Sequence, residues 1–205
     1  VLLALYPKAI TELSKGKKVI CVSGTNGKTS TTKALVSIIS KLGTVATSPS
    51  GSNLERGVAA ALMQKSEFAV LEVDELHLSR VIEEAKPKAV LLLNLTRDQL
   101  HRMHEVKRVA DRWAKSASTA PETLFIGDVD DPFVALALKS AAQSQRISFG
   151  GRKHLDAAVC PSCGKYLKWN SNNYKCSCGL SNSNPDESFE SGSAAFRNAT
   201  MANVV

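Results

Sequence analysis

Val19-Ile20-Cys21-Val22-Ser23-Gly24-Thr25-Asn26-Gly27-Lys28-Thr29-Ser30 is the stretch that decides the fold of this 205-residue chain. Its first four residues are an unbroken apolar run, the pattern of a strand buried on both faces in a parallel sheet. Two glycines, a lysine and hydroxyl residues follow. Beyond them Leu35, Ile38, Ile39 and Leu42 recur at helical spacing, and Gly43 stops the pattern. A strand that turns through glycines into a helix gathers backbone N–H groups and the positive end of the helix at one spot. That combination suits an anion, phosphate above all.

Within the loop, Lys28 can reach the β and γ phosphates of a nucleotide, and the Thr29 hydroxyl can ligate magnesium. Gly24, Thr25, Asn26, Gly27, Lys28, Thr29 and Ser30 are therefore the candidate site for a nucleoside triphosphate, read as ATP with Mg2+. The usual form of this loop has a further glycine where Val22 stands, so Gly24 to Thr29 is the shorter variant G-T-N-G-K-T.

Outward from the loop, the runs at 68–73, 89–93, 124–126 and 146–149 read as further buried strands. Helical stripes fill the gaps. Val106, Val109, Ala110, Trp113 and Ala117 form one, and Pro132 opens another through Val134, Leu136 and Leu138. Strand alternating with helix predicts an α/β fold, a P-loop domain with a parallel sheet flanked by helices. Ligands in such sheets bind at the carboxyl ends of strands. Glu72, closing the second apolar run, is the magnesium candidate beside Thr29. Asp74 and Glu75 read better as acids complementing the dipole of the next helix. Asn94 and Asp98 follow the third run at the same edge. They either face the reacting phosphate or cap the following helix.

Composition, 43% hydrophobic and 22% charged, is that of an ordinary globular chain. The net charge of +7 comes from scattered Lys and Arg with only 5% aromatics, which argues against a nucleic-acid surface. No apolar run approaches the roughly 20 residues of a membrane span. The opening 1–7 is too short for a signal peptide and lacks a basic leader. The chain begins without Met and stops at Val205 in a weakly helical stretch, so it is expected to be the N-terminal part of a longer protein.

Cys21 lies in the first strand and reads as a small core residue. The other four cysteines form C-x2-C-x12-C-x1-C at Cys160, Cys163, Cys176 and Cys178. Two short cysteine hairpins about a dozen residues apart are the framework of a zinc ribbon with four sulfur ligands. The second hairpin is one residue shorter than the common C-x2-C, and two disulfides are the alternative. The segment 181–188 is polar and reads as a linker or loop. The expected organisation is a P-loop ATP-binding domain over 1–150, an inserted zinc ribbon and linker over 151–190, and the resumption of the domain over 191–205.

Gly24 to Thr29, Glu72 closing a strand, Asn94-x3-Asp98 and Asp130-Asp131-Pro132 together resemble the central domain of the Mur ligases, which folylpolyglutamate synthases share. Within that family, Leu71 to Glu75, Asp98-Gln99-Leu100 and the four-cysteine insertion resemble the MurT-type subunits of lipid II isoglutaminyl synthases. Ordinary Mur ligases carry His where Gln99 stands and have no zinc ribbon there. The resemblance implies a cytoplasmic ATP-dependent carbon–nitrogen ligase of peptidoglycan biosynthesis. It would activate the D-glutamate α-carboxyl of lipid II as an acyl phosphate, for amidation with ammonia from a GatD-like glutaminase partner. It further implies Lys28 and the loop amides on the phosphates, Thr29 and Glu72 on magnesium, and Asn94 and Asp98 in the reaction cleft. The membrane would be met only through the lipid-linked substrate, and nucleic acid not at all.

Overall fold

The structure is a computed structural model that describes residues 6–48, 52–95, 103–150, 158–182 and 185–188. Its elements run α1 (Ala9–Ser14), β1 (Lys18–Ser23), α2 (Lys28–Ile39), β2 (Val45–Thr47), α3 (Glu55–Leu62), β3 (Phe68–Glu72), α4 (Leu78–Ala85), β4 (Ala89–Leu92), α5 (Met103–Thr119), β5 (Leu124–Asp128), α6 (Pro132–Ser140), β6 (Arg146–Gly150), β7 (Lys168–Asn170), β8 (Asn173–Lys175) and β9 (Glu187–Ser188). No helix among the described residues is long and apolar enough to cross a membrane.

The strands form one seven-stranded sheet in the order β2-β3-β1-β4-β5-β6-β9. Every neighbouring pair in it is parallel. A parallel sheet needs both faces covered, and the burial divides accordingly. α1, α3, α4, α5 and α6 pack on one face around Val19, Cys21, Leu71, Val90, Leu92 and Phe125. α2 covers Val22 and Val70 on the other.

The order also explains where a ligand can sit. From β1 the chain runs to β2 and β3 on one side, then returns to pair β4 on the other. Strand order reverses at β1, so the crevice outside its carboxyl end opens between the exits of β3 and β4.

The helices follow the sequence reading with one correction. Val109, Ala110, Trp113 and Ala117 of α5 are buried, as their spacing predicts. α6 starts at Pro132, with Asp131 as its N-cap accepting from the Phe133 N–H. On α2, however, Ile38 is 60% exposed, and Leu42, beyond the helix end, is 72% exposed. The inward stripe is Thr32, Leu35, Val36 and Ile39. Both sets fit 3.6 residues per turn. The sheet selects the second because Thr29 must face the β3 exit one turn earlier, which fixes the rotation of the whole helix.

The cysteine segment is not set apart from the α/β body. Cys160, Leu167, Tyr174, Cys176 and Leu180 belong to the same apolar cluster as α6 and β5. β7 and β8 form an antiparallel hairpin in which Trp169 faces Tyr174. Part of the expected linker is in fact a strand: Glu187 and Ser188 add β9 beside β6.

Candidate functional site

β1 ends at Ser23, whose hydroxyl donates to the Val73 carbonyl at 2.8 Å and ties the exits of β1 and β3 together. The loop that follows presses against the exit of β4. A side chain on Gly24 would put Cβ 2.9 Å from the Asn94 carbonyl oxygen, and φ there is +148°, so glycine is required on both counts. Gly27, with φ +83°, makes the turn into α2.

Asn94 holds the loop from the other side. Its Oδ1 accepts from the Asn26 N–H and its Nδ2 donates to the Asn26 carbonyl, both at 3.1 Å. Its own carbonyl accepts from the Thr25 N–H at 2.8 Å. Asn94 thus clamps the loop backbone with both ends of its side-chain amide. Asp98 lies outside the described residues.

Lys28 opens α2 and folds back over the loop, its Nζ donating to the carbonyls of Gly24 and Thr25. Glu75 Oε2 lies 3.4 Å from the same Nζ. One residue on, the Thr29 hydroxyl donates to Glu72 Oε2 at 2.9 Å. Glu72 is only 5% exposed. A hydroxyl and a carboxylate converging at the N-terminus of a 12-residue helix form a half-shell for a hard cation beside a phosphate site. Thr25 to Ser30 and Glu72 line a cleft of about 310 Å3. The N-terminus of α2, the Lys28 ammonium and the oxygen donors of Thr29 and Glu72 fit a magnesium-bound nucleotide phosphate chain.

The other acids of this turn depart from the sequence reading. α4 begins only at Leu78. The Asp74 carboxylate accepts from the Leu76 N–H within the turn, and Glu75 faces Lys28 instead of a helix end. The signal for Glu75 was adjacency to Glu72, but its direction depends on a turn held from outside.

The four remaining cysteines converge as expected. The Sγ atoms of Cys160, Cys163, Cys176 and Cys178 lie within 4.8 Å of one another. The closest pairs, Cys160–Cys178 at 3.6 Å and Cys163–Cys176 at 3.3 Å, are far longer than the roughly 2 Å of a disulfide. Thiolates around a tetrahedral ion, each about 2.3 Å from it, stand roughly 3.8 Å apart. The cluster fits one metal ion.

The short second hairpin closes by the same means as the first. The Gly164 N–H returns to the Cys160 carbonyl, and the Gly179 N–H returns to the Cys176 carbonyl one residue sooner. Both glycines have positive φ. The backbone N–H of Leu180 above all holds the Cys178 thiol down to about 6, which favours the thiolate a metal needs. Burial pushes the Cys21 thiol, and that of Cys160 within the cluster, up to about 12.

The cluster is wired to the loop at the β5 exit. Tyr174 donates its hydroxyl to the Val129 carbonyl at 2.9 Å, and Asn182 Nδ2 donates to Asp130 Oδ1 at 2.8 Å. Next to them, Asp131 Oδ2 accepts from the Leu95 N–H at 2.6 Å, one residue past Asn94. Composition and spacing hold no sign of these contacts.

Residues 22–182 match the Mur ligase middle domain. The chain is 30% identical over 182 residues to the MurT subunit of lipid II isoglutaminyl synthase (glutamine-hydrolyzing) from Streptococcus pneumoniae, covering 80% of this chain and 40% of that protein. It is 31% identical over 183 residues to the same subunit from Staphylococcus aureus, covering 79% and 41%. Among solved structures, a pseudomurein peptide ligase type C from Methanothermus fervidus superposes with a TM-score of 0.62 at 22% identity, over 85% of this chain and 39% of the other. The chain therefore spans about 40% of the length of the curated relatives it matches.

Proposed function

This chain belongs to the Mur ligase family, whose middle domain it contains, and we propose that it is the ATP-using part of an amidoligase. In this reading it activates the D-glutamate α-carboxyl of a lipid II stem peptide, and ammonia from a GatD-like glutaminase partner converts it to D-isoglutamine. The substrate would be met at the cytoplasmic side of the membrane, through its lipid-linked carrier.

The observation that carries the nucleotide half is the Thr29–Glu72 pair under the N-terminus of α2, beside Lys28. MgATP supplies the phosphoryl group and a cation that neutralises developing charge. The chain's residues bind and orient it. Lys28 exchanges the Gly24 and Thr25 carbonyls for the β and γ phosphates, and the amides at the start of α2 face the same oxygens. Thr29 and Glu72 would hold magnesium. Asn94 keeps the loop against β4, and Asp98 is assigned to the reaction cleft with it.

A carboxylate is a poor electrophile. In the first step its oxygen bonds to the γ phosphorus, the bridging P–O bond breaks and ADP leaves. Ammonia then bonds to the acyl carbon, inorganic phosphate departs and a proton passes to solvent. The protein's task throughout is positioning and charge stabilisation.

The amidation half is supported by the MurT relatives, by Gln99 and by the cysteine insertion. We assign zinc to Cys160, Cys163, Cys176 and Cys178 as a structural ion, because four sulfurs leave no open position.

The test supplies full-length protein with ATP, magnesium and lipid II, then offers either ammonium or candidate amino acids. Amidation yields a product lighter by the difference between –OH and –NH2. A product heavier by an amino-acid residue moves the protein to the amino-acid-adding ligases. Nucleotide binding with no product favours a docking module.

A further inference from the structure

The nucleotide loop meets a carboxylate that the magnesium assignment leaves without a task. Glu75 lies three residues past Glu72, and its Oε2 is 3.4 Å from Lys28 Nζ. Its place is fixed from several directions. The indole Nε1 of Trp113, a buried residue of α5, donates to the Glu75 carbonyl at 3.1 Å. On either side the Asp74 N–H donates to the Asn53 carbonyl at 2.8 Å, and the Leu76 N–H donates to Asp74 Oδ1 at 2.9 Å. A loop pinned at three consecutive residues presents a carboxylate at a defined point. The side chains of Glu75 and Lys28 are both largely screened from solvent, 24% and 12% exposed, so the charges act on one another through little water.

Charge at the cleft is then lopsided. Among the described residues that line or adjoin it, Glu72 and Glu75 set two carboxylates against the single ammonium of Lys28. A triphosphate arriving without a cation meets two carboxylates against one ammonium and the partial positive charge of the α2 N-terminus, and Glu75 competes with it for Lys28. A triphosphate arriving with magnesium brings the compensating charge. Lys28 can then leave Glu75, whose carboxylate is tolerated beside a neutralised phosphate chain.

We propose that Glu75 is a specificity-determining residue of the nucleotide site. It holds Lys28 until a nucleotide binds and makes nucleotide entry depend on a bound divalent cation. This rests on the reading of the cleft as a nucleotide site, and it adds a selection step that Thr29 and Glu72 do not by themselves impose. Ligation by Thr29 and Glu72 rewards the presence of the cation, whereas Glu75 penalises its absence.

The experiment measures equilibrium binding of ATP to the full-length protein by calorimetry, once with excess magnesium and once with EDTA. Wild type is compared with Glu75→Gln, which keeps shape and removes charge, and with Glu75→Asp, which keeps charge. The Gln variant is expected to bind metal-free ATP about tenfold tighter than wild type, or roughly 1.4 kcal/mol, while MgATP affinity moves less than about threefold. The Asp variant is expected to keep the wild-type preference for MgATP. A merely structural role for Glu75 would shift both affinities together.

An unchanged ratio of the two affinities in Gln, or a ratio lost equally in Gln and Asp, overturns the proposal while the nucleotide site stands. Wild-type protein that binds neither form overturns the site reading and the proposal with it. Should the Gln variant fold poorly, the Asp variant alone decides, because a lost preference there shows that charge is not the determinant.

Discussion

At the scale of single residues, the nucleotide loop depends on an absence and a clamp. Gly24 carries no side chain because the Asn94 backbone occupies the space, and Asn94 in return uses both ends of its amide on Asn26. Replacing Asn94 with Ala leaves the Asn26 N–H and carbonyl without their partners in a half-buried loop. It is expected to cost about 1–3 kcal/mol of stability and to lower nucleotide affinity. Denaturant unfolding and calorimetric titration with MgATP check both parts, and unchanged affinity would show that the loop holds its shape without the clamp. The sequence alone allowed two roles for Asn94, facing phosphate or capping a helix. Its actual partner lies 68 residues away, on a loop that only the β1–β4 pairing brings alongside.

The hairpins, strands and helices show which patterns are decisive. Pro132 behind Asp131 marked the start of α6, because a missing N–H and a capping carboxylate suit only that position. The α2 stripe misled, since Ile38 and Leu42 share the period of the buried set, and only a neighbour's location distinguishes the two. The cysteine hairpins are remote from the 24–29 loop in sequence. Their folded contacts nonetheless run toward it. Tyr174 and Asn182 bind the 129–130 turn, and Asp131 next to it holds Leu95. Tyr174→Phe should cost roughly 1–3 kcal/mol by orphaning the Val129 carbonyl, and each kcal/mol lowers Tm by about 2–4 °C in a domain of this size. Chelating the cluster metal should lower the same transition instead of producing a separate early one. Differential scanning calorimetry checks this, and two resolved transitions would show that the segment melts on its own.

At the scale of the whole molecule, a ligand that binds only the folded state stabilises all of it. MgATP at a hundred times its Kd should add about 2.7 kcal/mol, or roughly 5–10 °C in Tm, and Lys28→Ala should abolish that gain over its own unliganded Tm. A full thermal shift in the variant would move the nucleotide away from this loop. The β1 run with Gly24 to Thr29 determined by itself that a strand feeds a glycine-rich loop into a helix, and with the later apolar runs it determined a parallel α/β sheet. The cause is local: apolar periodicity and glycine conformation act over a few residues. The cysteine spacing pointed to a four-sulfur cluster or two disulfides, and the Sγ separations of 3.6 and 3.3 Å decided for the cluster. Only the tertiary structure decided that β1 is the switch point, that α2 buries Thr32 along with Ile39 and leaves Ile38 exposed, that Glu75 turns to Lys28, and that β9 pairs with β6. Those features depend on which distant segments become neighbours. That is settled by burying apolar faces against one another across the whole chain, and no stretch of sequence records it alone.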